Sequence, residues 1–131
     1  RLDEIYEAIR DVDLLAFESN HDVDMLMFGE YPYSVKVRIK GDRGHLSNDY
    51  AAETLSRLLA ERKDDPASDT PLHIMLAHLS FHNNAPLFAR QTVEDALGAA
   101  GFHKGEDYLL DVAAKEGITF MPEPRRKEVI I

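Results

Sequence analysis

Side chains that can ligate a metal or hold a phosphate gather where an apolar run stops. In LHIMLAHLSFHNNAP (72–86), six apolar-rich residues lead into His78, Ser80, His82, Asn83 and Asn84. Neutral imidazole is the commonest protein metal ligand, and a strand end would hold it rigidly toward a cleft. A partly buried histidine bonded to a neighbour fits the same spacing, so both readings stay open for His78. His82 reads as a loop residue that nothing orders. RGHLSN (43–48) sets His45 just ahead of a helix start, where unpaired N–H groups and positive potential suit an anion such as phosphate. A capping segment with an incidental histidine is the plainer alternative. ESNHD (18–22) offers Asn20, His21 and Asp22, which could orient a ligand or a water, or could simply form an Asx turn. Arg38, Lys40 and Arg43 add positive charge, although a charge run is ordinarily a solvated face. His73 falls inside an apolar run and reads as structural, and His103 reads as solvent-facing on a turn. No Gly-rich phosphate loop, G-x-S-x-G elbow, H-E-x-x-H pair or calcium loop occurs.

The elements that must position these residues follow from periodicity. Leu2, Ile5, Tyr6 and Ile9 fall at helical spacing, so 3–10 reads as a short amphipathic helix. LLAF (14–17) reads as a strand, and VDMLMFG (23–29) as a helical turn closed by Gly29. In 31–44, Val35, Val37 and Ile39 alternate with Lys36, Arg38 and Lys40, which by itself is strand periodicity. Residues 47–62 form a helix with Ser47 or Asn48 as N-cap and Ala51, Leu55, Leu58 and Leu59 as its buried stripe. The turn-rich 64–71 leads into strand 72–77. A second helix spans 86–100, with Ala89, Val93, Leu97 and Ala100 on one face and Gly101 after it. YLLDVA (108–113) and ITFMP (118–122) could pair as a hairpin through KEG, leaving 123–131 frayed or packed on a partner. Alternating helices and strands make an α/β fold, in which ligands collect at the carboxyl ends of strands. ESNHD and HLSFHNN both sit at such ends.

At 131 residues, the chain is one domain or half of one. It is 44% hydrophobic and 30% charged, with a net charge of −9, which argues against a surface built for non-specific nucleic-acid binding. A nucleic acid held by a metal centre is not excluded, because net charge says little about one cleft. With no cysteine, disulfides and thiolate metal sites are impossible. No apolar run approaches the roughly 18 residues of a membrane span, so a cytoplasmic protein without membrane contact is expected. The chain opens on Arg1 without an initiator Met and is expected to be an excerpt of a longer polypeptide.

Taken in order, ESNHD (18–22), GHLSN (44–48) and AHLSFHNN (77–84) resemble segments of metallo-β-lactamase-fold hydrolases, in the YycJ/WalJ-type branch related to DNA exonucleases. The resemblance covers about residues 12–100. It implies the C-terminal half of an αββα sandwich whose complete form holds two divalent metal ions, zinc or manganese. It makes His78 a metal ligand and His45 the histidine that stabilises charge or moves a proton at the scissile phosphate. Asn20, His21, Asp22, Ser80, Asn83 and Asn84 would shape the substrate pocket. The implied reaction is metal-assisted hydrolysis of a phosphodiester, with nucleic acid as substrate. It also turns 31–44 into an irregular or helical lead-in to His45.

The departure from the family is equally informative. The H-x-H-x-D-H metal motif is absent, HDVD (21–24) has the wrong pattern, and Asp69–Thr70 lies in a surface loop. A catalytic zinc needs about three protein ligands, so His78 alone leaves the site incomplete. The expectation is a chain inactive without an N-terminal half. The alternative is a non-catalytic interaction module whose exposed sheet face drives a homodimer or pairing with another chain.

Overall fold

The computed structural model describes residues 2–29, 31–40, 45–113 and 128–130. Helix α1 (Leu2–Ile9) leads into β1 (Leu14–Glu18), and α2 (Val23–Phe28), α3 (Tyr33–Lys40) and α4 (Asn48–Lys63) lead to β2 (Leu72–Ala77). Helix α5 (Pro86–Ala99) then carries the chain to β3 (Tyr108–Val112), and β4 (Glu128–Ile130) ends the described chain. The fold is α/β. Its sheet has the order β3-β2-β1-β4, and every pairing is parallel.

Parallel strands bury both faces, which explains why β1 is an unbroken apolar run rather than an alternating one. Leu15, Phe17, Ile74, Leu76 and Leu110 point to one face and pack with Leu55, Leu58, Val93 and Leu97 from α4 and α5. Ser47 caps α4 through its Oγ, which accepts the Tyr50 N–H at 3.0 Å. Pro86 opens α5, where its missing N–H costs nothing, and Gly101 follows the helix at φ +90°. Ala100, expected on the buried face of α5, is exposed, because the helix ends one residue earlier.

Three segments bear on these expectations. Residues 33–40 form α3, so the helical lead-in implied by the resemblance holds there and the alternation of Val35, Val37 and Ile39 does not make a strand. Residues 41–44 lie outside the described residues. In 108–113, β3 lies parallel to β2, with Leu72 opposite Tyr108; the hairpin expected with 118–122 falls outside the described residues. At the end of the chain, 128–130 is not frayed but pairs parallel with β1, Leu15 opposite Val129.

A buried arginine ties the helical layer to the strands. Arg62, 4% exposed, donates from Nη1 to the carbonyls of Ile9 (2.9 Å) and Val12 (3.2 Å) and from Nη2 to that of Thr70 (3.0 Å). These carbonyls end α1 and flank β1 and β2, so one buried charge ties the three segments together.

A candidate active site at the carboxyl ends of β1 and β2

Strand register brings the site together. Glu18, the last residue of β1, stands opposite Ala77, the last of β2. His78 therefore emerges beside the Glu18 carboxylate. Glu18 Oε1 lies 3.3 Å from His78 Nδ1, and Oε2 lies 3.2 Å from His45 Nδ1. Oε2 also accepts the Leu46 N–H at 2.7 Å, which fixes the loop that carries His45. Because a carboxylate only accepts, Nδ1–H of each ring is the donor, leaving each Nε2 to face a ligand. The Glu18 side chain is 17% exposed, whereas His45 and His78 reach 56% and 75%. An almost covered carboxylate thus carries two accessible imidazoles.

His78 has φ +56°, the left-handed region where a residue with a Cβ is strained. Asn20 holds this conformation by donating from Nδ2 to the His78 carbonyl at 2.8 Å. Backbone bonds interlock the same loops: Asn20 N–H to Leu46 O at 2.8 Å, and Ser80 N–H to Asn20 O at 2.6 Å. Asn48 N–H to His21 O at 2.9 Å and Asp22 N–H to Asn83 O at 2.8 Å complete the set.

Beneath this surface lies a buried amide clip. Ser19 Oγ–H donates to Asn48 Oδ1 (2.6 Å), and Asn48 Nδ2 donates to Asn84 Oδ1 (2.9 Å). Asn84 Nδ2 in turn lies 2.9 Å from Asn48 Oδ1 and 2.9 Å from the Ser19 carbonyl. The geometry therefore separates the expected residues by position. His45 and His78 are accessible at the rim, and Asn20 and Ser80 are part-covered between the loops. Asp22 spends its carboxylate capping α2, accepting the Met25 N–H at 2.9 Å. His21, Asn83 and Asn84 are buried. Burial, and after it the charge of nearby His45, pushes the His21 pKa below its ordinary 6.5.

Glu18 is the residue that reading the sequence left out of the site. A charged residue ending an apolar strand, one position before ligand-type side chains, was the available signal. Ser19 and Asn48 were missed for a different reason: their pairing spans 29 residues and leaves no local pattern. His82 is not an unordered loop residue. Its ring packs edge-on against Tyr31, with centroids 6.0 Å apart, and against Phe81 at 5.5 Å.

Among the described residues, no group of three or more His, Asp or Glu side chains is arranged to hold a metal ion. What is present suits part of such a site. A histidine whose Nδ1–H rests on a carboxylate is oriented with its Nε2 turned to a ligand, the usual supporting arrangement of a metal-bound imidazole.

Over 106 residues the chain is 41% identical to exodeoxyribonuclease YycJ of Bacillus anthracis, covering 81% of this chain and 37% of that protein. It is 35% identical, again over 106 residues, to exodeoxyribonuclease WalJ of Streptococcus pneumoniae serotype 2, covering 81% of this chain and 36% of that protein. This chain is a relative of the YycJ/WalJ proteins. It spans about 37% of the length of the curated YycJ relative it matches. No family model and no solved structure matches it. Among the described residues, no helix is long and apolar enough to cross a membrane.

Proposed function

We propose that this chain forms the C-terminal portion of a metal-dependent phosphodiesterase acting on DNA, with its fold one half of an αββα metallo-β-lactamase-type sandwich. The observation that carries this reading is Glu18, one carboxylate holding His45 and His78 from two separate loops at the carboxyl edge of a parallel sheet. The naming of the YycJ and WalJ relatives as exodeoxyribonucleases supports the substrate class.

In this reading His78 supplies one Nε2 ligand, Glu18 orients it, and the remaining ligands come from sequence outside this chain. The bound divalent cations, zinc or manganese, supply Lewis acidity toward water and toward the phosphate charge. His45 acts on the leaving group. With Nδ1–H held by Glu18, its Nε2 carries a proton when the ring is cationic and releases it to the departing alkoxide oxygen. Asn20 and Ser80 fix the loops that present both rings. His21, Asn83 and Asn84 set the floor of the substrate pocket, and Asp22 sets its α2 border.

The sheet face opposite α4 and α5 carries Leu14, Ala16 and Met75, which are already buried, with the exposed Leu109 and a His73–Asp111 contact of 2.6 Å at the β3 edge. In the sandwich reading the missing N-terminal half, or a second copy of the chain, would meet the sheet at that exposed edge.

The test uses the protein as its gene encodes it, with manganese or zinc added and DNA hydrolysis measured. His45→Gln is expected to lower kcat by about 10²–10⁴-fold, the usual contribution of a general acid. Glu18→Gln is expected to cost about 10–100-fold in metal affinity or activity, as for other supporting carboxylates. His78→Ala should lower bound metal. Unchanged turnover in all three variants would sink the assignment.

A further inference from the structure

Beside the candidate site lies a hollow of about 380 Å³ lined by Gly29, Tyr31, His82 and Asn83. That size is within the roughly 300–1,000 Å³ of small-ligand clefts. Three features indicate what it takes. Its wall is aromatic: the Tyr31 and His82 rings meet at 69°, and Phe81 backs His82 at 77°. A flat ring laid on one of these faces meets the edge of the other, the favoured arrangement for aromatic groups. Its floor holds Asn83, a buried residue whose backbone N–H donates to Ser80 Oγ at 3.1 Å and whose side-chain amide has no hydrogen-bond partner among the described residues. The amide presents a donor and an acceptor side by side, so it is suited to a ligand edge that carries the complementary pair. Finally, the hollow depends on Gly29. A Cβ there would stand 2.7 Å from the Met25 carbonyl oxygen and 3.0 Å from Asn83 Oδ1, closing the space against the amide.

The described lining is a tyrosine ring, a histidine ring and one amide, which suits a planar ligand with a mixed hydrogen-bonding edge. We infer that the hollow receives one unpaired nucleobase of the DNA strand, stacked on Tyr31 or His82 with its edge read by the Asn83 amide. An asparagine amide pairs bidentately with adenine in just this donor–acceptor sense. The inference rests on the nuclease reading above. The position suits it: His82 and Asn83 belong to the same loop as His78, and the Asn83 carbonyl is tied to Asp22 N–H at 2.8 Å. A base held here would place the neighbouring phosphodiester near the rim where His45 and His78 stand. Selection would then be for an unpaired end rather than for duplex.

The test is binding, with hydrolysis suppressed by a chelator, on the protein as its gene encodes it. The probe is a short single-stranded oligonucleotide with 2-aminopurine at one end or the other, compared with one whose terminal nucleotide is abasic. Wild type and Tyr31→Phe are expected to quench the terminal fluorophore, and Tyr31→Leu and His82→Ala to quench it less. Affinity in Tyr31→Leu should fall by about 5- to 100-fold, the range for losing one base–aromatic stack. The abasic oligonucleotide should bind wild type as weakly as the normal one binds Tyr31→Leu. Equal quenching and affinity in all four proteins, with the abasic end bound as tightly as a base, would overturn the base site while leaving the nuclease reading intact. Failure of wild type to bind any oligonucleotide would overturn both.

Discussion

His78 combines exposure with backbone strain, and the two together suggest a residue kept for its imidazole. It is the one non-glycine with positive φ among the described residues. An L residue there carries about 1–2 kcal/mol of strain. Glycine relieves that strain but loses more chain entropy on folding, by about 0.5–1 kcal/mol. His78→Gly is therefore expected to be about 0.5–1 kcal/mol more stable than His78→Ala in urea denaturation, with both inactive. Equal stabilities would mean that the strain is not stored at this residue. His21 makes a second prediction. Its folded pKa lies below the ordinary 6.5, so below that pH the unfolded chain takes up a proton that the folded chain refuses. Stability must therefore decline as pH falls through 6.5 and keep declining until the folded pKa is reached. His21→Gln should flatten this part of the pH–stability curve, and parallel curves for the two proteins would refute the assignment.

The loops after β1 and β2 and the start of α4 are held by the Ser19–Asn48–Asn84 clip. Asn84→Ala would remove the acceptor of the Asn48 Nδ2 and the donor to the Ser19 carbonyl in a buried place. The cost expected is about 1–3 kcal/mol by denaturant titration, with lower activity in what remains folded. Helix α1 is anchored differently. Asp65 takes both Arg10 Nε and Nη2 at 3.0 Å and the Tyr6 hydroxyl at 2.7 Å. The Arg10 bonds first, then Tyr6 and the Ala67 N–H, bring its pKa down from 3.8 to about 2. The anchor is complete above the ordinary carboxylate value and is lost as pH falls through about 2. Asp65→Asn is expected to speed amide hydrogen exchange in α1 at neutral pH while sparing α4 and α5. Unchanged exchange in α1 would show that its packing against α4 suffices.

The whole chain offers a site with one carboxylate and two accessible imidazoles, and it spans about 37% of its YycJ relative. A catalytic zinc takes about three protein ligands, and a two-metal centre takes more. The 131-residue chain, dialysed against zinc or manganese, is therefore expected to retain well under one equivalent of metal by elemental analysis. Stoichiometric metal that disappears in His78→Ala would instead mean that two copies complete the site between them. The net charge of −9 adds a consequence at this scale. In the nuclease reading proposed above, this leaves little general attraction for DNA, so affinity would come from the local cleft, through cations, the two rim histidines and base contacts.

Local chemistry was enough to place most elements. The 3.6-residue stripe of α4, the Pro86 and Gly101 boundaries of α5 and the apolar runs of β1 and β2 are properties of neighbouring residues, so the sequence carries them openly. The three polar motifs also announced where a site would form, because parallel strands deliver their carboxyl ends to one edge. Tertiary structure decided the rest. Residues 33–40 alternate like a strand, yet they form α3. Glu18 became central only when register set it opposite Ala77, and Asn48 and Asn84 became partners only when folding closed 36 residues between them. The hollow that gathers Gly29, Tyr31, His82 and Asn83 is likewise a property of segments that fold together. Periodicity and capping act within a few residues, whereas pairing and burial depend on segments distant in the chain.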